Sequence, residues 1–423
     1  MMRPVVGFAG MTHLGLVSGV AAAEKGFELV CFDPNADRIS ALRQAKPVIS
    51  EPHLDELIGK NAGRILFTSD STDLRKCDVI YIAPDVPTDD QGQSDLTSIN
   101  SMLDLVFDAA RIDAVVVILS QVSPGFTRLK QRQGRTLFYQ VETLIFGCAI
   151  ERALSPERYI VGCADPTQPL PAAFYSLLAA HDCPILPMRY ESAELAKISI
   201  NMCLVASIST ANTLAEICEQ IGADWSEIVP ALKMDKRIGK YSYLAPGLGI
   251  AGGNLERDLA TVCRLADEYG TDANIVRAWI SNSRHRRDWV LRTLQREILV
   301  KIDDPVIAVL GLAYKQDTHS IKNSPSIALL SSLLAFRVRV FDPVVAASAA
   351  PNPRRYGASD PLDACDGADV LVIMTPWRQF CDLEADAVAC RLRGKVVIDP
   401  YCVLDGSKFL EKGFEYRTLG VGT

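Results

Sequence analysis

The chain has 423 residues, 48% of them hydrophobic and only 7% aromatic, and its formal net charge is −7. That length exceeds what one core serves, so two or three domains are expected. The aliphatic bias suits the buried parallel strands of an α/β protein, and the negative balance excludes a broad basic surface for nucleic acid or anionic lipid.

Residues 4–9 read as a short apolar strand. Gly10 and Gly15 bracket a turn, residues 16–25 form a small-residue helix ending at Gly26, and residues 28–33 are a second strand closed by an acid. Further strands are expected at 78–83 and 114–119, so the segment 1–187 alternates strand and helix as a parallel doubly wound sheet does. The segment 188–300 is helical, with one helix sustained from residue 190 to Gly222 that would join domains or form a dimer seam. From 301 to 423 the alternation resumes, with strands at 306–310, 337–343, 368–374 and 395–399. The expected architecture is therefore α/β: two Rossmann-like doubly wound parallel-sheet domains joined by a central helical domain with a long helix.

Residues 1–9 are too short for a signal peptide and run into a glycine turn. No apolar run reaches membrane-spanning length, so no membrane partner is expected. The 12 cysteines are scattered without a Cys-x-x-Cys pair, which fits reduced thiols in a cytoplasmic protein. The five histidines have no metal-site spacing, and no metal is expected.

Gly10-Met11-Thr12-His13-Leu14-Gly15 lies at a strand-to-helix junction, and Asp33 ends the next strand at the distance of a ribose-binding acid. The helix N-terminus would face a pyrophosphate. Asp33 would bind ribose hydroxyls and repel a 2′-phosphate, which favours NAD over NADP. Thr12 departs from the glycine pattern where backbone approaches phosphate, so its Cβ would push the pyrophosphate outward or weaken binding.

Other segments resemble the UDP-glucose/GDP-mannose dehydrogenase family over nearly the whole chain. Glu51-Pro52-His53-Leu54-Asp55-Glu56-Leu57 is similar to the family's Glu-Pro-Gly-Leu-Asp-Glu-Leu. Pro87-Thr88 with Asp95-Leu96 resembles the loop after its fourth strand, and Ser120-Gln121-Val122-Ser123-Pro124-Gly125 resembles Ser-Thr-Val-Pro-x-Gly. Residues 147–162, Asp235 with Arg237-Ile238-Gly239, and Gly311-Leu312-Ala313-Tyr314-Lys315 with Ser324-Pro325 extend the likeness. Gly252-Gly253-Asn254-Leu255-Glu256-Arg257-Asp258 resembles the active-site loop Gly-Ser-Cys-Phe-Pro-Lys-Asp, with Asn254 in the place of the cysteine nucleophile.

The resemblance implies that the first domain holds NAD, the third holds the nucleoside diphosphate, the long helix forms a homodimer, and the sugar lies in the interdomain cleft. Cofactor contacts would come from Gly10, Thr12, His13, Leu14, Gly15, Asp33, Arg38, Pro87, Thr88, Ser120 and Gln121. Lys197 and Asn201 are four apart on one helix face, and by resemblance they hold a water or the reacting sugar oxygen, with Asp258 and Glu142 beside them. Gly247, Gly249, Gly252 and Gly253 would form a backbone-amide bed for sugar or phosphate, with Tyr243 and Phe146 on the substrate side and Lys315 and Lys322 meeting diphosphate oxygens. Asn254 would also serve as N-cap of a helix over 255–269.

Departures from the family gather at its chemistry: Asn254 for the thiol, Gln121 for a threonine, Phe146 for a second glutamate. In the third domain His319, Ser320, Asn323 and Tyr401 replace charged residues. An amide offers no thiolate to capture an aldehyde. The expected activity is NAD-dependent oxidation of a nucleotide sugar that stops at a carbonyl, either epimerising or ending as two-electron oxidation. The alternatives are the family's four-electron oxidation to a uronic acid and a non-catalytic nucleotide-sugar-binding protein.

Overall fold

The computed structural model describes residues 3–47, 49, 51–89 and 92–422. The chain divides into two compact units, Met1–Ile200 and Asn201–Thr423.

In the first unit the strands are β1 (Val6–Ala9), β2 (Leu29–Phe32), β3 (Ile65–Thr68), β4 (Val79–Ile82), β5 (Val115–Ile118), β6 (Thr136–Gln140), β7 (Tyr159–Cys163) and β8 (Ile185–Arg189). Among the described residues they form one sheet in the order β3-β2-β1-β4-β5-β6-β7-β8. All neighbours are parallel except β6 and β7, which run antiparallel with Tyr139 opposite Gly162. Every position of β1, β2, β4 and β5 is buried, because helices cover both faces of a parallel sheet. Such strands read as unbroken apolar runs.

The helix α1 (His13–Glu24) starts three residues before the position expected from the sequence, inside the glycine turn. Chain order reverses at β1, with β2 on one side and β4 on the other, and this switch point is where doubly wound sheets bind ligands.

In the second unit β9 (Val306–Leu310), β10 (Arg337–Phe341), β11 (Arg355–Gly357), β12 (Val370–Ile373), β13 (Val396–Ile398) and β14 (Glu415–Arg417) form a parallel sheet in the order β11-β10-β9-β12-β13-β14. Leu310, Val340, Val372, Ile398 and Leu330 lie in its core at 0% exposure. Helices Asn254–Tyr269 and Asn274–Arg287 belong to this unit. Arg286 is fully buried and ion-paired to Glu219 at 2.9 Å, and Trp289 donates to the same carboxylate at 2.8 Å. The tail near Gly420 is tied in as well. Gly420 donates to Glu219 at 2.9 Å, and its carbonyl accepts from the Trp225 amide at 2.8 Å.

The helix Tyr190–Ile221 is 32 residues long. Contrary to the sequence expectation, it is long and apolar enough by length and composition to cross a membrane. It nevertheless buries Glu194, Asn201, Ser209 and Asn212 against protein, and bonds from Glu194, Asn201 and Asn212 account for that placement.

Candidate functional site

The glycine turn has the geometry its sequence demands. Gly10 has φ +103°, and a Cβ at Gly15 would stand 1.9 Å from the Gly10 carbonyl oxygen, so α1 closes onto β1 only without side chains there. Asp33 is 2% exposed at the end of β2. It accepts from the Met11 amide at 2.7 Å, the Asn35 amide at 2.9 Å and Arg38 Nη1 at 2.8 Å. Arg38 therefore lies beside the ribose acid. Turn, helix and acid fit the ADP-ribose half of NAD.

One contact does not fit. Thr12 is the N-cap of α1, yet its hydroxyl caps nothing in the helix. It accepts from the Asp85 amide at 2.9 Å and reaches the Ala83 carbonyl at 3.4 Å. The cap is the Asp85 carboxylate, which accepts from the His13 amide at 3.1 Å and the Leu14 amide at 3.3 Å. The Thr12 side chain is thus turned onto the segment after β4 rather than outward.

Replacing Asp33 with alanine is expected to weaken NADH binding roughly tenfold and to narrow its preference over NADPH, because a charge-assisted acceptor is lost. Fluorescence titration of both cofactors checks this.

Around the same turn, His13 Nε2 lies 2.8 Å from Glu51, whose carboxylate also accepts from the Gly147 amide at 3.0 Å. The Phe146 ring, 44% exposed, sits 4.1 Å from the His13 ring. Phe146 therefore lies at the cofactor turn of the first unit. Ser120 is fully buried and donates to the Pro84 carbonyl at 2.5 Å. Gln121 follows it, half-buried. Pro87 accepts from the Asp95 amide at 2.9 Å, and Thr88 bridges to Ser94.

Lys197 and Glu142 are brought together. Lys197 Nζ lies 2.9 Å from Glu142 Oε1 and donates to the Glu142 carbonyl at 3.0 Å. Their side chains are 13% and 19% exposed. Glu142 is fixed in turn by the Leu144 amide at 2.9 Å. One turn before Lys197, the buried Glu194 accepts from the Gly125 and Thr127 amides at 2.6 and 2.8 Å. Burial pushes its carboxyl up, against the pull of those amides. It secures the loop after β5.

In the second unit, Asn201 Nδ2 donates to Asp258 at 2.5 Å, both residues being buried, and Arg257 Nε stands 3.4 Å from the other carboxylate oxygen. The helix carrying Asp258 begins at Asn254 itself. Its N-cap is Gly253, and no side chain caps it. The expected capping role of Asn254 is thereby corrected, since a residue already in helical conformation cannot fold its side chain back onto the N2 or N3 amide as a cap does. Asn254 is exposed and lies one turn from Asp258 on the same helix face.

The glycine loop is more structural than the expected open amide bed. The Gly247 amide donates to Asn212 at 2.8 Å, the Ile250 amide to Ser283 at 2.7 Å, and the Gly252 amide to the Lys322 carbonyl at 3.1 Å. Gly252 has φ +81°, and a Cβ would meet the Tyr314 ring at 2.9 Å. Gly249, also at positive φ, abuts Ser283. Lys315 lies 6.0 Å from the Tyr314 ring. Tyr243 is 49% exposed.

A cavity in this unit is lined by Glu256, Arg284, Arg287, Asn323 and Ser324. Asn323 donates to Glu256 and to the Gly252 carbonyl. Burial pushes the Glu256 carboxyl up, while Lys322, Arg284 and Arg287 pull it down. A carboxyl raised on folding stabilises the fold below its unfolded value and loses that contribution as pH rises through the folded one. Glu256→Gln is therefore expected to gain stability relative to the wild type as pH climbs above 4.5. Urea unfolding at several pH values checks the sign.

Sequence reasoning missed Asp85 and Glu256. An acid three residues past β4, at the mouth of the glycine turn, was the available signal for Asp85. Glu256 carried none, since its burial comes from residues far along the chain.

Three family descriptions match the chain. They are the NAD binding domain of the UDP-glucose/GDP-mannose dehydrogenase family over residues 5–176, its central domain over 191–284 and its UDP binding domain over 308–406. A UDP-glucose 6-dehydrogenase of Rickettsia typhi is 28% identical over 429 residues and covers 98% of each chain. One from Bacillus subtilis is 29% identical, covering 97% of this chain and 92% of its own. A solved UDP-glucose dehydrogenase from Pyrobaculum islandicum superposes with a TM-score of 0.87 at 26% identity, covering 100% of this chain and 98% of that one. With matches over all three segments, the chain belongs to the UDP-glucose/GDP-mannose dehydrogenase family of NAD-dependent nucleotide-sugar dehydrogenases.

Proposed function

We propose that the protein oxidises one carbinol of a nucleoside-diphosphate sugar to a carbonyl and goes no further. The carrying observation is Asn254: exposed, bound to no cap and one helical turn from Asp258, it offers an amide where covalent capture of an aldehyde would need a thiolate. NAD, when bound, accepts the hydride. Lys197, as an ammonium paired with Glu142, is a hydrogen-bond donor that steadies the developing alkoxide. The Glu142 carboxylate is the member of that pair able to take up the alcohol proton. Asn201, held by Asp258, orients the sugar oxygen. Lys315 and Lys322 meet the diphosphate in the UDP-binding domain.

Without capture, the net product is an epimer if the carbonyl is re-reduced before release, and a ketone or aldehyde if it is not. The four-electron reading is supported by the naming of relatives as UDP-glucose 6-dehydrogenases. The deciding experiment is mass spectrometry of the products from a panel of UDP- and GDP-sugars with NAD, together with a count of NADH per sugar. An epimer, or one NADH per sugar with a carbonyl product, supports the proposal. Two NADH and a uronic acid overturn it, as does intact sugar binding without turnover. The same reading takes the protein as a homodimer through the long helix, where Leu214, Ile217 and Ile221 are exposed at helical spacing in the single chain. Light scattering in solution tests that point.

A further inference from the structure

Dinucleotide folds bind pyrophosphate at the N-terminus of the first helix because free amides and the helix dipole favour an anion there. In this protein an anion from the chain itself already stands at that end. The Asp85 carboxylate spans the His13 and Leu14 amides with one oxygen each. It is held from behind, since the Asp85 amide donates to the Thr12 hydroxyl and that hydroxyl reaches Ala83. Gly10 lies against Pro84 of the same segment, with no room for a Cβ. The segment after β4 is thus keyed to the glycine turn at Gly10, Thr12 and Asp85.

We propose that Asp85, pinned by Thr12, is an internal competitor for the cofactor's pyrophosphate and sets its affinity. A diphosphate can reach the α1 amides only after this carboxylate swings away, because two anions at one helix end repel each other. Thr12, the departure from the glycine pattern, acts through Asp85 as a positioning residue. Asp33 and Arg38 lie at the ribose end and take no part in this contact. The proposal concerns the NAD-binding domain and does not depend on how far the sugar is oxidised.

The test is calorimetric titration of the full-length protein and of Asp85→Asn, Asp85→Gly and Thr12→Gly with NADH, ADP-ribose and adenosine, alongside thermal melts without ligand. Asp85→Asn removes the charge and one of the two acceptor oxygens but keeps the other for an α1 amide, so it should fold. The expected result is roughly tenfold tighter NADH and ADP-ribose binding in Asp85→Asn, the equivalent of relieving one close like-charge contact. Adenosine affinity should not change, and the ligand-free melting temperature should fall because a favourable cap charge is lost. Thr12→Gly should shift affinity in the same direction by less, and should add little to Asp85→Gly. Unchanged or weaker diphosphate binding in both Asp85 variants overturns the proposal, including no detectable binding in any of the proteins. An equal gain for adenosine also overturns it, since that would mark general loosening rather than release of the phosphate seat.

Discussion

Replacing Lys197 with methionine is expected to lower kcat by roughly 10³-fold, the scale on which removing one preorganised donor to a developing oxyanion acts. Methionine keeps the apolar stem and removes the ammonium that lies 2.9 Å from Glu142. NADH affinity should stay within about threefold of the wild type, a difference of well under 1.4 kcal/mol, because the cofactor turn is built from β1, α1 and Asp33. Single-turnover kinetics would separate the chemical step from release. A variant that keeps its turnover would remove Lys197 from the proposed roles. Glu142→Gln should also slow the reaction, and unlike the lysine variant it should change the pH profile, since it deletes the proton-accepting carboxylate itself.

Asn254→Cys should convert transient release of an aldehyde into covalent capture. The new thiol would stand at the exposed head of the helix, one turn from Asp258. If the oxidised carbon is the terminal one, the thiolate adds to the aldehyde carbon and the carbonyl oxygen takes up a proton. Intact-mass spectrometry after incubation with sugar and NAD should then show a protein heavier by the mass of the oxidised sugar nucleotide. A further oxidation from that adduct would raise the yield from one NADH per sugar to two. No adduct and no change in stoichiometry would mean that the oxidised carbon does not face position 254. Cys263 lies on the same helix, and a Cys263→Ser background removes it as an alternative nucleophile.

Much of this was legible in the sequence because of how parallel sheets bury their strands. β1, β2, β4, β5, β9, β12 and β13 coincide with apolar runs, since both faces are covered and no alternation interrupts them, whereas β10 alternates Arg337 and Arg339 with the buried Val338 and Val340. β3 and β8 escaped because Leu66 and Leu186 are exposed in the middle of short edge strands, and β11 and β14 because they are edge strands with no fully buried position. The site divides along similar lines. Lys197 and Asn201 stand out through the family resemblance of the loop around Asp258, helical spacing only setting them on one face, and Asp33 through its distance from a glycine turn. The Lys197–Glu142 pair joins residues 55 apart, a distance no periodicity can signal. Asp85 and Thr12 meet across 73 residues. Asn254 read as a cap because its residue type favours capping. The chain gives that place to Gly253, at φ −104°, and frees the amide from the role.

The tail has a consequence of its own. Gly420 has φ +78°, and a Cβ there would stand 2.8 Å from Trp225. Its amide binds the same Glu219 that neutralises Arg286 deep in the unit, and the next glycine, Gly422, donates to Ala223 at 3.0 Å. A proteolytic nick just upstream would leave a guanidinium in the interior with a less well-anchored counter-ion, and would uncover an indole. The segment around Gly420 thus acts as a fastener for the longest helix, and a side chain placed at Gly420 would strain a clasp whose failure would be felt far from the substitution.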